Sequence, residues 1–397
     1  MNRLTASVSA AVVAAGASLA LLAPAAVGAA AVNTVQKVLP TDLGPGKPWI
    51  RLQDPPNNVP TPPGVQEVSP FADPVRFNGS LHLAVGGGQQ AQAGHAFPQV
   101  VPLSTIAAAR LSYDTYVKST VPPGATGVGP NLQLPILCQG VFTTLSFRPE
   151  NNTDSQGRPG VVPDTWQHFT STASSPWRTS QAVAAFPAQS DHPLSDYVAA
   201  CNAPGDGAGG VIANVGRLGD MSATLDTYVD NLTVNGTVYD FAIGALATGR
   251  VALRNTGPGD NCNRPGCRSA GGDHDSAAGT VTFTSPSDGP EYHGVGTRLV
   301  IADGRSLSHR DLTVKANGRN VPLVAGPNRT VIGIIAPNPS VNLFPNGTYT
   351  TPITITHRDR PGRVGPKDSL TVTAELLAQG YGPLQRTGVK AHATLRR

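Results

Sequence analysis

The recurrence of apolar residues limits this chain's fold more than any other feature. From about residue 71 they come in short runs of alternating polarity, such as Val75-Arg-Phe-Asn-Gly-Ser-Leu-His-Leu-Ala-Val85 and Leu111-Ser-Tyr-Asp-Thr-Tyr-Val117. A period of two places alternate side chains on opposite faces, so these runs specify half-buried β-strands. Similar runs cover residues 132–138, 141–147, 165–170, 211–215 and 224–234, and Asn235-Gly236 reads as a hairpin turn into residues 237–241. Only residues 193–200 read as a helical turn. With 44 glycines and 37 prolines, the 397-residue chain favours turns and extended segments over long helices. A parallel α/β sheet would need helices recurring between strands, so the expected class is all-β, with a jelly-roll β-sandwich over residues 71–245. Strand-like runs at 279–284, 298–302, 311–315, 331–335, 352–356 and 369–375 predict a second, Ig-like β-sandwich over 279–397, without the Cys–Trp–Cys core of antibody domains.

The N-terminus has the order of a secretory signal peptide over residues 1–31. Arg3 precedes an Ala/Val/Leu-rich stretch, which ends in the small residues Gly28-Ala29-Ala30-Ala31. The expected mature chain is secreted, extracellular or at the cell surface, and has no transmembrane segment. Residues 32–70 are rich in proline, as in Asp54-Pro-Pro-Asn-Asn-Val-Pro-Thr-Pro-Pro63, and read as a linker or strand-flanking arm. Residues 246–278 are rich in Gly, Asn, Asp and Ser and read as a connector. Four cysteines in an exported chain imply two disulfides, with three connectivities open. Pro265-Gly266 supplies a turn that brings Cys262 toward Cys267, which leaves Cys138 for Cys201. The formal net charge is +4 with no Lys/Arg cluster, which disfavours nucleic acid as a partner.

Four stretches in order carry a resemblance: Gly79-Ser-Leu-His-Leu, Leu111-Ser-Tyr-Asp-Thr-Tyr, Thr165-Trp-Gln-His-Phe with Trp177, and Tyr228-Val-Asp-Asn-Leu-Thr-Val234. Over residues 71–241 the chain resembles bacterial secreted jelly-roll domains, similar to concanavalin-like and carbohydrate-binding-module sandwiches. That likeness implies two things. Asp230, in the closing-strand sequence Val-Asp-Asn, would be a ligand of a structural Ca²⁺ together with carbonyls from the first strand; otherwise it caps a turn or accepts backbone hydrogen bonds. The ligand would be extracellular or cell-envelope polysaccharide.

Sugar binding normally stacks an aromatic ring on a pyranose face, and Tyr113, Tyr116, Trp166, Trp177 and Tyr228 are the available rings. Trp166 is expected in the core and Trp177, beside Pro176 and Arg178, at the surface; Trp177, Tyr113 and Tyr228 are the expected ligand contacts. Catalytic signatures are missing from the sequence. Its four glutamates, Glu67, Glu150, Glu291 and Glu375, have no acidic residue two positions away, and no Gly-x-Ser-x-Gly occurs. Cys262, Cys267, His274 and Asp273 or Asp275 form a second, zinc-like grouping that oxidation of the thiols would preclude. The expected function is therefore a secreted, non-catalytic carbohydrate-binding protein. The alternatives are a structural or adhesive surface protein with protein partners, and a divergent extracellular hydrolase.

Overall fold

Alternation in sequence becomes alternation in burial. The computed structural model describes residues 33–52, 63–119, 128–217, 220–222, 224–256, 274–302, 308–358, 369–382 and 384–396. The expected signal peptide and the Cys262/Cys267 loop lie outside these residues. Along Asn131–Cys138, Leu132, Leu134, Ile136 and Cys138 point inward while Gln133 and Leu137 point outward, as the pleat dictates.

The first sandwich has two sheets. In one, Val65–Ser69, Ser80–Val85, Leu225–Val234, Ser112–Val117 and Gln167–Thr170 lie side by side. Thr237–Phe241 folds back on the end of Leu225–Val234, and Thr34–Val38 adds a parallel edge beside it. Asn235 and Gly236 turn that hairpin with φ of 49° and 75°, the left-handed pair that a two-residue hairpin requires. The other sheet runs Ile50–Arg51, Gln90–Val101, Gly207–Gly216, Asn131–Cys138, Val141–Phe147, Pro176–Thr179, His192–Pro193. The chain crosses repeatedly from one sheet to the other, in the jelly-roll manner. Leu103–Ala109 and Leu194–Ala200 form short α-helices. A disulfide joins Cys138 to Cys201, 63 residues away, and ties the end of a core strand to the end of the second helix.

Two boundaries differ from expectation. Residues 33–52 and 63–70 contribute three strands, and Trp49 is wholly buried, its ring 4.8 Å from Phe241 and 5.2 Å from Tyr239. The prolines there lie outside the strands, which themselves sit at sheet edges, where proline-rich flanks are tolerated. Thr248–Asn255, read as connector, is the first strand of the second sandwich, paired with His274–Thr284 along its whole length. Its composition conceals it: Val251 is its one buried apolar side chain.

The second sandwich opposes Thr248–Asn255, His274–Thr284, Thr348–Arg358 and Leu312–Ala316 to Val331–Ile335, Val295–Ala302, Ser369–Ala378 and Arg386–Arg396. This is an Ig-like layering around Val281, Phe283, Leu299, Ile301, Ile355 and Val372. Its buried cluster does not stop at its own strands. Phe71, Tyr116, Trp166 and Tyr228 of the first sandwich belong to the same cluster. The Phe71 ring lies 4.3 Å from Tyr228, 4.9 Å from Tyr116 and 5.7 Å from Trp166. Backbone bonds cross the same seam: Ala72 N donates to Glu291 O at 3.1 Å, and Trp166 N to Gly380 O at 2.9 Å.

Trp177, expected at the surface, is fully buried between the sheets of the first sandwich, and its indole N–H donates to Ser171 Oγ at 3.0 Å. Truncating a packed tryptophan costs about 3–5 kcal/mol. Trp177→Ala should therefore lower the urea-unfolding free energy by about that much, whereas a loss under about 1 kcal/mol would place the ring at the surface.

Candidate metal centre

The Val229-Asp230-Asn231 segment shapes this site through its backbone. Asn231 adopts φ 48°, a left-handed conformation that asparagine tolerates better than most residues. The pairing with Ser112–Val117 then slips by one residue, from Asp230↔Asp114 to Thr233↔Ser112. Such a bulge re-aims side chains, and here the Asp230 carboxylate is directed into the interior with no solvent exposure. Its Oδ1 accepts from the N–H groups of Asn231 at 2.6 Å and Phe241 at 2.9 Å, while Oδ2 has no hydrogen-bond partner.

Two further aspartates meet it there. Asp240 lies on the hairpin strand Thr237–Phe241 and is equally buried; its Oδ2 accepts from Asn78 Nδ2 at 3.1 Å and its Oδ1 is unpartnered. Asp73 organises the loop between Val65–Ser69 and Ser80–Val85. Its Oδ1 accepts from Val75 N at 2.8 Å, Arg76 N at 2.7 Å and Asn231 Nδ2 at 3.1 Å, and its Oδ2 from Asn78 N at 3.1 Å. Carboxylate oxygens of the three residues lie within 4.8 Å of one another. The side-chain carbonyl of Asn78, also buried, is a third unpartnered oxygen beside them.

Three buried carboxylates at this separation repel one another. Burial, reinforced by Asp73 and Asp240, pushes the Asp230 carboxyl well above the ordinary range, and burial also raises Asp240. The cations nearby include Arg76, whose guanidinium bonds Asn231 Oδ1 and lies 3.7 Å from Asp240, and Lys37, whose charge also favours the Asp240 carboxylate. Three buried oxygens nevertheless remain without donors. Unsatisfied buried acceptors are rare and costly.

A hard divalent cation fits this donor set. Ca²⁺ takes oxygen ligands at about 2.3–2.6 Å, so oxygens on opposite sides of the ion stand about 5 Å apart. Asp73, Asp230 and Asp240 would supply charge and Asn78 a neutral oxygen, whereas zinc favours nitrogen and sulfur donors. The side-chain oxygens that accompany Asp230 come from the loop at 70–79 and the following hairpin. Behind the cluster, Asn231 Nδ2 also donates to Asp114 Oδ2 at 2.8 Å, and His168 Nδ1 to Asp114 Oδ1 at 2.8 Å. The bond to Asp114 raises the His168 imidazole, and burial raises Asp114 itself.

The three expected sugar-stacking rings are all internal. Tyr113 is buried and donates its hydroxyl to Pro130 O at 2.7 Å; Trp177 is in the core; Tyr228 lies in the seam with His82 stacked 4.7 Å from it. Tyr113 and Trp177 face the first sandwich's interior and Tyr228 the sheet surface that the second sandwich covers, so none presents a face to a ligand. Of the zinc-like grouping, the cysteines and the side chains of His274 and Asp275 lie outside the described residues.

No family model matches this chain, and no curated protein does. Solved structures give shallow likenesses. The C-terminal domain of the Streptococcus pyogenes antigen I/II-family protein AspA is 10% identical, matching 82% of this chain and 98% of that one with a TM-score of 0.22. The C-terminal domain of the Streptococcus agalactiae antigen I/II polypeptide BspA is 10% identical, matching 81% and 96% with a TM-score of 0.23. A β-1,2-glucanase from Parabacteroides distasonis is 12% identical, matching 82% and 34% with a TM-score of 0.22. Scores this low fix neither fold nor function. The all-β class rests on this chain's own strand pairing. Among the described residues no helix is long and apolar enough to cross a membrane.

The raised Asp230 carboxyl has a consequence with a definite sign. A carboxyl raised on folding binds more protons in the folded than in the unfolded state, so without metal its contribution to stability falls as pH rises from the unfolded value, about 3.9, through the folded one. Urea titrations in EDTA should show wild type losing stability relative to Asp230→Asn across that window, and calcium should remove the difference. Parallel pH profiles in EDTA would contradict this.

Proposed function

We propose that the chain is an exported, non-catalytic surface protein in which two joined β-sandwiches act as a structural or adhesive unit with protein partners. The observation that carries this reading is where the aromatic side chains sit. Trp49, Tyr113, Phe169 and Trp177 pack between the sheets of the first sandwich, and Phe71, Tyr116, Trp166 and Tyr228 pack against the second. Rings placed this way hold modules together; they do not stack on sugars. The disulfide Cys138–Cys201 agrees with an oxidising compartment.

The outer face of the second sheet of the first sandwich supports a protein partner. At one end, Gln90 Nε2 donates to Asn214 Oδ1 at 2.8 Å and Asn214 Nδ2 to Asn131 Oδ1 at 3.2 Å, so the amides engage one another. At the other end Phe142, 64% exposed, pairs across the strands with Leu137, also exposed. Leu137 in turn pairs with Gly207, against which Val100 packs. An exposed apolar corner on a sheet whose far end is polar has the composition of a protein contact surface.

The test is capture of partners from the producing cell's own surface extract. Wild type should retain a protein that excess soluble glycans do not release, and Phe142→Asp should lose it while unfolding at the same urea concentration. Saturable binding to a cell-envelope polysaccharide, with no retained protein, would overturn the reading in favour of carbohydrate recognition.

A further inference from the structure

The loop at residues 70–79 takes part in two otherwise separate arrangements. Through Asp73 and Asn78 it supplies part of the acidic cluster. Through the residues between and beside them it forms much of the contact with the second sandwich. Glu291 N donates to Pro70 O at 2.6 Å and Ala72 N to Glu291 O at 3.1 Å. The hydroxyl of Tyr381 donates to Ala72 O at 2.6 Å, and that of Tyr292 to Phe77 O at 3.3 Å. Both tyrosines are buried, which raises their hydroxyls' pKa, and the charge of Asp73 adds to this, at Tyr381 after Tyr292. Ala72, which bonds both Glu291 and Tyr381, is thus the direct neighbour of Asp73.

We infer that a hard divalent cation, calcium by its donor set, is a latch between the two sandwiches: bound by Asp73, Asp230, Asp240 and Asn78, it fixes loop 70–79 in the one conformation that Glu291, Tyr292 and Tyr381 of the second sandwich grip. This rests on the metal-centre reading above and adds what the metal controls. Three unpartnered buried oxygens, on Asp230, Asp240 and Asn78, are the observation that points to the ion. The coupling follows from shared geometry. A cation binds tightly only when Asp73 stands with Asp230 and Asp240, and the seam bonds form only with the loop in that place. A ligand that prefers one state shifts the population toward it, and the effect is reciprocal. Without the ion, mutual repulsion of the carboxylates acts on Asp73, the one member carried by a loop rather than a strand; Phe77 in that loop already holds a left-handed φ of 59°.

Hydrogen exchange on the full chain, disulfide intact, tests this with calcium chloride against EGTA, alongside calorimetric titration with calcium chloride. Calcium should bind and slow exchange by about tenfold or more, not only in 70–79 but in the second-sandwich segments 290–294 and 379–382. Asp230→Asn, or Asp240→Asn should the first fail to fold, should lose both effects. Tyr381→Phe should still bind calcium while the added protection at 379–382 shrinks. No binding heat from calcium would overturn the metal centre and the latch with it. Binding that protects 70–79 and leaves 290–294 and 379–382 unchanged would keep the metal centre and overturn the latch.

Discussion

The Asp73 carboxylate determines how loop 70–79 is folded, because four donors converge on it: the N–H groups of Val75, Arg76 and Asn78 and the side-chain amide of Asn231. With that turn set, Phe71 falls among Tyr116, Trp166 and Tyr228, and the backbone of Ala72 and Phe77 meets Tyr381 and Tyr292. The seam between the two sandwiches is therefore a consequence of how one aspartate is satisfied. A single buried charge with several donors can do this because each bond to a charged acceptor is stronger than a neutral one.

Joining two modules through an aromatic core differs from joining them through a linker. Side chains of one module buried in the cluster of the other keep neither free to turn, since rotation would expose several rings at once. Burying a large aromatic side chain contributes about 1.5–3 kcal/mol, so four rings at one seam outweigh the modest polar contacts typical of mobile domain pairs. A rigid pair of this kind suits a protein whose work is to hold a partner at a fixed distance. Its polar surface on one sheet and apolar corner at Phe142 are then separate from its internal mechanics.

Much of this architecture was legible in the sequence. Period-two runs located most core strands, Asn235-Gly236 marked its hairpin, and Cys138–Cys201 was the pairing left once Cys262 and Cys267 were matched. Strands with few apolar residues escaped, as Thr248–Asn255 shows. Trp177 was misplaced although its own pattern pointed inward: Pro176 and Arg178 are the outward neighbours that an inward residue has in a strand. Asp230 was legible through its Val-Asp-Asn setting, but Asp73 and Asp240 were not. They lie 157 and 10 residues away from it, and the bulge at Asn231, the hairpin at Asn235-Gly236 and the 70–79 loop together bring the three into one place. An Asp-Pro pair opening a turn, as in Asp73-Pro74, was the signal available for one of them; Asp240 alternates with the core residues Tyr239 and Phe241 and so reads as outward-facing.

The first sandwich lends Phe71, Tyr116, Trp166 and Tyr228 to the buried cluster of the second, and the two should therefore unfold as one. Differential scanning calorimetry of the full chain in excess calcium tests it most directly. A pair joined by that aromatic seam should give a single transition whose calorimetric and van't Hoff enthalpies agree. Two resolved transitions, each with the enthalpy of one sandwich, would contradict it.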